Sequence, residues 1–516
     1  VLKKSIKLSV KSVAGIAVFI AFNSLAAAAE QASSACTELT ALQLPAVTIT
    51  LAEVVTAGSF APDGAAGDAR NRMYQPLPAF CRVAATLRPS ADSDIKIEVW
   101  LPVAQWNGKY LAIGNGAFSG NIRHPAMIDP LLRGYATSST DTGHEGNTAS
   151  FGLWHPEKVI DFGWRSVHEM AAVAKQLITT YYQSGPRYSY WNGCSAGGRQ
   201  ALQAAQRFPA DFDGIIAGAP GLDWTGRAVA ALRVAQVLAA DPAARLGESE
   251  RDLLHRAALN TCDASDGVAD GVIDNPQQCQ VEPATLRCST GSDSACLTEA
   301  QVTTANLIYG SAINPATGRT IPGLVPGSEP GWTDLGWTES ARATGDEQLK
   351  YLVYQDPNWR IEQFDFDIDV VKAEQQDNNT LNALNADLRP FFGRGGKLLQ
   401  YHGWSDPQIS PLSSTQYYAS VLDVFGSRAA IHDDYRLFMV PGMAHCGGGP
   451  GTDSFDAVSA LEAWVENNVA PERIDATHST QGAVDRARPL CPFPEVALWS
   501  GAGSTDVAEN FSCRMP

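Results

Sequence analysis

The feature that most constrains this chain is the pentapeptide Gly193-Cys194-Ser195-Ala196-Gly197 together with its flanks. Tyr188-Ser189-Tyr190-Trp191-Asn192 before it reads as a buried strand, and Gly198 to Gln206 after it reads as a helix. A G-x-S-x-G between strand and helix is a sharp turn. The serine takes a strained backbone conformation, and the glycines stand where any side chain would collide with the neighbouring strand or helix. The turn exposes the hydroxyl at the carboxyl end of a sheet, where the Ala196 amide and the helix N-terminus can receive a developing oxyanion. The pentapeptide alone is a weak signal; its strand-to-helix setting is what makes Ser195 a candidate nucleophile.

The surrounding chain supplies such a sheet. Ile95 to Leu101 alternates as a strand and is ended by Pro102, and a turn at Trp106-Asn107-Gly108 leads into a second strand, Lys109 to Ile113. That strand runs into Gly114-Asn115-Gly116-Ala117-Phe118-Ser119-Gly120. A Gly-rich loop after a buried strand lets backbone amides approach a ligand, so Gly116 or Ala117 is the candidate second oxyanion donor. Further strands are expected at 134–140, 212–218, 396–403 and 435–440, and an amphipathic helix at about 161–182. His144, just past one strand, reads as a structural or rim histidine. Strands alternating with helices imply an α/β fold with a mostly parallel sheet covered on both faces.

The alternation breaks between 222 and 390, which reads as a lid inserted between two parts of the sheet domain, 30–221 and 391–516. Its tryptophans Trp224, Trp332, Trp337 and Trp359 suit either a planar ligand or the lid's own core. Its one motif is the run from Cys262 to Asp274. Asp263, Asp266 and Asp270, with the carbonyls of Val268 and Val272, could give a calcium ion an all-oxygen shell, and Cys262 and Cys279 bracket the loop. The spacing is not that of an EF-hand, and a solvated acidic turn is the alternative.

The returning strand delivers Asp406, and the last strand leads to Pro441-Gly442-Met443-Ala444-His445-Cys446. The order Ser195, Asp406, His445 is that of an α/β-hydrolase triad, with the aspartate orienting the histidine that serves the serine. Cys194 and Cys446 each adjoin a member of this set. If Ser195 and His445 meet, a disulfide between their neighbours would tie the two loops.

Four lysines, Lys3, Lys4, Lys7 and Lys11, precede an apolar run to about Leu25 and a string of alanines, the layout of a secretory signal peptide at 1–29. Its removal takes four positive charges and no acid from a net charge of −17, leaving about −21. A chain so acidic, with no basic cluster, is not expected to bind nucleic acid or anionic membranes. The ten cysteines, Cys36, Cys81, Cys194, Cys262, Cys279, Cys288, Cys296, Cys446, Cys491 and Cys513, all fall after the leader and suit five disulfides in a secreted or periplasmic protein. Zinc is disfavoured by the absence of a C-x-x-C pair.

Cys194-Ser195, Asp406 and His445-Cys446 resemble the CS-D-HC arrangement of the tannase and feruloyl esterase family. Trp106-Asn107-Gly108, the aspartate-rich loop, Phe364-Asp365-Phe366-Asp367 and the segment Val440 to Cys446 extend the resemblance over nearly all of the mature chain. It implies an α/β-hydrolase with a lid, calcium on the Asp263 to Val272 loop, and the pairs Cys36–Cys81, Cys194–Cys446, Cys262–Cys279, Cys288–Cys296 and Cys491–Cys513. The family includes enzymes resembling the hydrolase of mono(2-hydroxyethyl) terephthalate, and Arg360 and Phe364 stand where those hold the substrate's carboxylate and ring. Ala196 departs from that hydrolase, which has an acidic residue there.

The expected activity is therefore hydrolysis of esters of aromatic, hydroxycinnamic-type acids through an acyl-serine, with galloyl esters and terephthalate monoesters as alternatives and no organic cofactor. A peptidase on the same fold and a non-catalytic secreted binding protein are the rivals from other classes. The sequence leaves the oligomeric state open.

Overall fold

The computed structural model describes residues 33–62, 68–289, 295–334 and 345–516. The expected leader and Trp337 lie outside the described residues. Nine strands form one sheet in the order β1-β2-β3-β5-β4-β6-β7-β10-β11. In chain order these are β1 (Val47–Val55), β2 (Phe80–Leu87), β3 (Ile95–Pro102), β4 (Lys109–Ile113), β5 (Ala136–Thr140), β6 (Tyr188–Cys194) and β7 (Gly214–Gly218). A two-strand ladder, β8 (Ala312–Ile313) with β9 (Thr320–Ile321), stands apart before β10 (Lys397–Gly403) and β11 (Tyr435–Val440) complete the sheet. From β5 to β11 every neighbouring pair is parallel. β1, β2, β3 and β5 meet antiparallel.

Side-chain alternation covers both faces. Tyr110, Ala112, Ile215, Ala217 and Leu437 enter one apolar cluster, while Leu111, Ile113, Ile216 and Phe438 enter the other. Such near-continuous apolar strands are what burial on two sides requires. The helix Ser166–Tyr182 closes the first face with Val167, Met170, Ala174, Leu177 and Ile178. The helix Ala457–Asn467 closes the second with Val458, Leu461 and Trp464. The segment before β3 supplies β1 and β2, and the Cys36–Cys81 disulfide fixes its start to β2.

The helix expected from residue 161 begins at Ser166, because Asp161–Arg165 forms a π-turn. The carbonyls of Phe162 and Gly163 accept from the buried Arg199 guanidinium at 3.1 and 2.8 Å.

Between β7 and β10 the described residues add no strand to the large sheet. It builds its own apolar clusters around the helix Trp224–Ala240, with Val229, Leu232 and Ala235 in one and Val234 and Leu238 in another. Trp359 and Trp332 are buried in these clusters. After β11, hairpins β12 (Ile474–Thr480) with β13 (Ala483–Leu490), and β14 (Val496–Trp499) with β15 (Phe511–Arg514), end the chain. All ten cysteines are paired as the resemblance implied: Cys36–Cys81, Cys194–Cys446, Cys262–Cys279, Cys288–Cys296 and Cys491–Cys513.

Candidate active site

Ser195 stands between the end of β6 and the helix Ala196–Arg207 with φ 65° and ψ −121°, a strained conformation for a residue with a side chain. The turn is held by its backbone: the Ser195 amide donates to Gly218 O at 2.9 Å, and its carbonyl accepts from Arg199 N at 3.0 Å. A Cβ at Gly193 would lie 2.6 Å from the Gly197 carbonyl carbon, so the turn closes this tightly only with glycine there. As the first residue of its helix, Ala196 has an amide that no intrahelical carbonyl can reach.

The loop after β4 lies against this turn. Gln200, on the helix that follows Ser195, accepts from the Asn115 amide at 3.0 Å, and Asn115 Nδ2 donates to Thr140 O at 2.8 Å. Ala117 has φ 43°. His144 is buried beneath the loop: its Nε2 donates to Phe118 O at 2.7 Å, its Nδ1 accepts from Thr142 Oγ1 at 3.2 Å, and its ring stacks on Phe151. Desolvation lowers its pKa, so it is neutral, a structural histidine as its sequence position suggests.

Asp406, just past β10, is fully buried and accepts four hydrogen bonds. Oδ1 takes the amides of Gln408 and Ile409 at 2.8 and 3.0 Å; Oδ2 takes His445 Nδ1 at 2.7 Å and His402 Nε2 at 3.1 Å. Desolvation pushes this carboxyl up, but the His445 charge and the hydrogen bonds from His402 and His445 outweigh it and hold the group well below the usual carboxylate range.

In sequence His402 reads as one more residue of a buried strand. Its Nε2 faces two acceptors, Asp406 Oδ2 and Ile409 O, so that nitrogen carries the proton, and Nδ1 accepts from Ser414 Oγ at 2.7 Å. Gln400 Nε2 donates to Ser414 Oγ at 2.7 Å and Tyr435 OH donates to Gln400 Oε1 at 2.6 Å. A buried chain of donors thus ends on Asp406. The only signal for it was a histidine four residues before the aspartate.

His445 follows β11, and Cys446 beside it has φ 64°. The Cys194–Cys446 disulfide, with Cα atoms 6.0 Å apart, joins the Ser195 turn to the His445 loop. Nδ1 of His445 is engaged by Asp406, which leaves Nε2 as the nitrogen for an incoming group. No hydrogen bond joins His445 to the Ser195 hydroxyl among the described residues; resting sites of this kind often close that bond only around substrate.

Above Ser195 is a cavity of about 450 Å³, lined by Ala117, Phe118, Trp224, Arg227, Val234 and Ile409 among others. Among the described lid tryptophans, Trp224 reaches it. Arg360 and Phe364 do not line this cavity. The Arg360 side chain is 74% exposed and ion-pairs with Glu362, and Phe364 is buried in the lid's own apolar cluster, its carbonyl taken by Gln236. The short turn Ile361–Gln363 between them is closed by the Arg360 amide, which donates to Gln363 Oε1 at 2.8 Å.

In the aspartate-rich loop, Asp263 Oδ1 accepts the Asp270 and Gly271 amides, and Asp266 and Asp270 accept those of Val268 and Val272. Asp270 Oδ2 also receives Arg488 at 2.7 Å. Desolvation, with Asp266 alongside, pushes the Asp274 carboxyl well above its ordinary value. Among the described residues no three His, Cys, Asp or Glu side chains converge as a metal cluster.

Residues 81–514 match the profile of a family described as tannase and feruloyl esterase. The chain is 39% identical to an uncharacterised esterase of Xanthomonas campestris pv. campestris, over 93% of this chain and 91% of that one. It is 32% identical to mono(2-hydroxyethyl) terephthalate hydrolase of Piscinibacter sakaiensis, over 85% of each. Its structure resembles that of feruloyl esterase B from Aspergillus oryzae, with a TM-score of 0.86 and 29% identity over 94% of this chain and all of that one.

Proposed function

This chain belongs to the tannase and feruloyl esterase family and is a carboxylic ester hydrolase, and we propose that it cleaves esters of aromatic, hydroxycinnamic-type acids through an acyl-serine at Ser195. The observation that carries this reading is the buried Asp406–His445 pair, whose histidine loop is bridged to the serine turn by Cys194–Cys446.

In this reading His445 Nε2 takes the Ser195 proton as Oγ attacks the ester carbonyl. Asp406 keeps Nδ1 protonated and offsets the imidazolium charge; being held ionised, it takes no proton itself. The Ala196 and Ala117 amides receive the oxyanion. His445 returns its proton to the leaving alcohol, and water repeats the attack to release the acid. The aromatic preference is supported by the Phe118 and Trp224 rings in the cavity wall. Ser195→Ala should abolish turnover, and methyl ferulate, methyl gallate, a terephthalate monoester and a peptide anilide rank the acyl preference. Ferulate is expected first; preference for the anilide would contradict an esterase.

The Asp263 to Val272 loop suits a hard cation by donor chemistry. Asp263, Asp266 and Asp270 each accept amides of the loop, and with the carbonyls of Val268 and Val272 they would be the oxygens to hold such an ion. The acidic contact between Asp266 and Asp274 is one a cation would relieve. Calcium held there would brace the lid against β13, from which Arg488 reaches Asp270, and would supply no chemistry at Ser195. Export to an oxidising compartment is supported by the five disulfides. Among the described residues no helix is long and apolar enough to cross a membrane.

A further inference from the structure

The helix Trp224–Ala240 places Arg227 in the wall of the cavity that contains Ser195. Its guanidinium lies over the Trp224 ring at 5.3 Å. Among the described residues it has neither a hydrogen bond nor an ion pair, unlike its neighbours in the site. Arg199 donates to three backbone carbonyls, and Arg319 pairs with Asp223 and Glu374. The acids near Arg227 are already engaged. Asp223 accepts the Gly226 amide and Arg319; Glu347, also in the cavity wall, accepts the Ala149 amide at 2.8 Å. Asp406, whose field reaches Arg227, has its four acceptor positions filled.

The Arg227 side chain is part-exposed to the cavity, and with no acid bonded to it its donors are free for an anion that enters. Desolvation lowers the Arg227 pKa to about 10, which still leaves it charged at neutral pH. The planar guanidinium fork matches a carboxylate through two parallel hydrogen bonds. Arg233 also lines the cavity but rests over the Phe366 ring at 5.0 Å, and desolvation is the sole influence on its charge. Arg227 is the arginine whose surroundings include the acid of the Ser195 site.

We propose that Arg227 binds a free carboxylate carried by the ester, so that the enzyme prefers esters bearing a second, unesterified carboxylate to their neutral counterparts. This rests on the hydrolase reading of Ser195. The carboxylate could belong to the acyl group or to the alcohol, and two substrate pairs separate these: monomethyl with dimethyl terephthalate, and caffeoylquinate with methyl caffeate.

Arg227→Gln should lower kcat/KM for the carboxylated member of one pair by about tenfold or more, and change the neutral esters by less than about threefold. Arg227→Lys should recover part of the loss. Equal loss on charged and neutral esters, or no loss on either, would overturn the proposal. So would a wild-type enzyme that prefers the neutral member of both pairs, a comparison that needs no folded variant. Calorimetric binding of terephthalate against terephthalamide, to wild type and Arg227→Gln, reads the site without turnover. Arg227-dependent binding of the dianion in a protein that cleaves no ester would sink the hydrolase reading and keep the carboxylate site. Cleavage of neutral esters with an unchanged charged-to-neutral ratio in the variant would do the reverse.

Discussion

Cys194 and Cys446, 252 residues apart in sequence, hold their Cα atoms 6.0 Å apart and so fix Ser195, one residue after the first, relative to His445, one residue before the second. Neither loop is held to the other by a hydrogen bond between the two functional side chains, so the covalent bridge carries the alignment.

Breaking that bridge should therefore cost rate before it costs fold. Cys194→Ser with Cys446→Ser is expected to lower kcat by about 10- to 100-fold, the scale of a misplacement near 1 Å, while far-ultraviolet circular dichroism stays unchanged. A double variant of wild-type activity would show that the noncovalent packing of the two loops suffices.

The two histidines on Asp406 should separate in their effects. Asp406→Asn removes the charge and the tautomer control of His445 and is expected to lower kcat by about 10⁴-fold. His402→Gln keeps a donor on Asp406 but breaks the chain from Ser414, and should lower kcat by about 3- to 10-fold with KM unchanged. Steady-state kinetics with methyl ferulate measure both. Equal losses would mean that His402 maintains the fold of the acid loop rather than the position of Asp406.

Acidity should act on stability through Asp141. This carboxyl, 4% exposed at the end of β5, accepts the Lys96 and Gly143 amides at 2.8 Å, and desolvation pushes its pKa up to about 7. A carboxyl whose folded value is raised binds its proton more tightly when folded. Its stabilisation is thus complete below the unfolded value near 4 and is lost as pH rises through about 7. Asp141→Asn, which keeps the acceptor and cannot ionise, should be more stable than wild type at pH 8 and show a flatter stability profile between pH 4 and 8. Denaturant titrations across that range check this, and parallel profiles would contradict it.

Calcium on the lid loop would make stability depend on the ion while the chemistry stays put. Chelation is expected to lower Tm by roughly 5 °C, and calcium but not magnesium should restore it. Asp263→Asn should remove the response. An unaffected Tm would mean that Cys262–Cys279 and Arg488 hold the loop without a metal.

Much of the sheet was legible because two-sided burial leaves an unmistakable run of apolar residues: β4 and β11 fall on the expected residues, and β10 and β3 within one. The elbow was legible because glycine at 193 and 197 is a steric requirement written into the sequence. β1 escaped because an edge strand with one covered face, alternating with exposed positions, has a weaker pattern. His402 escaped because its role depends on a contact across a turn, and in sequence it is one more member of a buried strand. Arg360 and Phe364 rest on the resemblance, which does not specify that the Arg360 side chain stands exposed and that of Phe364 buried in the lid's own cluster. Arg227 was passed over because an unpaired arginine is recognisable only once its neighbours' partners are known.

The most direct measurement is covalent trapping of the nucleophile. Wild-type protein treated with an ester-mimicking phosphonate should gain one adduct by intact mass, mapped to the peptide carrying Ser195, in step with loss of methyl ferulate turnover. Ser195→Ala should gain none and be inactive. Labelling at another residue, or a Ser195→Ala protein that still turns over ester near the wild-type rate, would contradict the account.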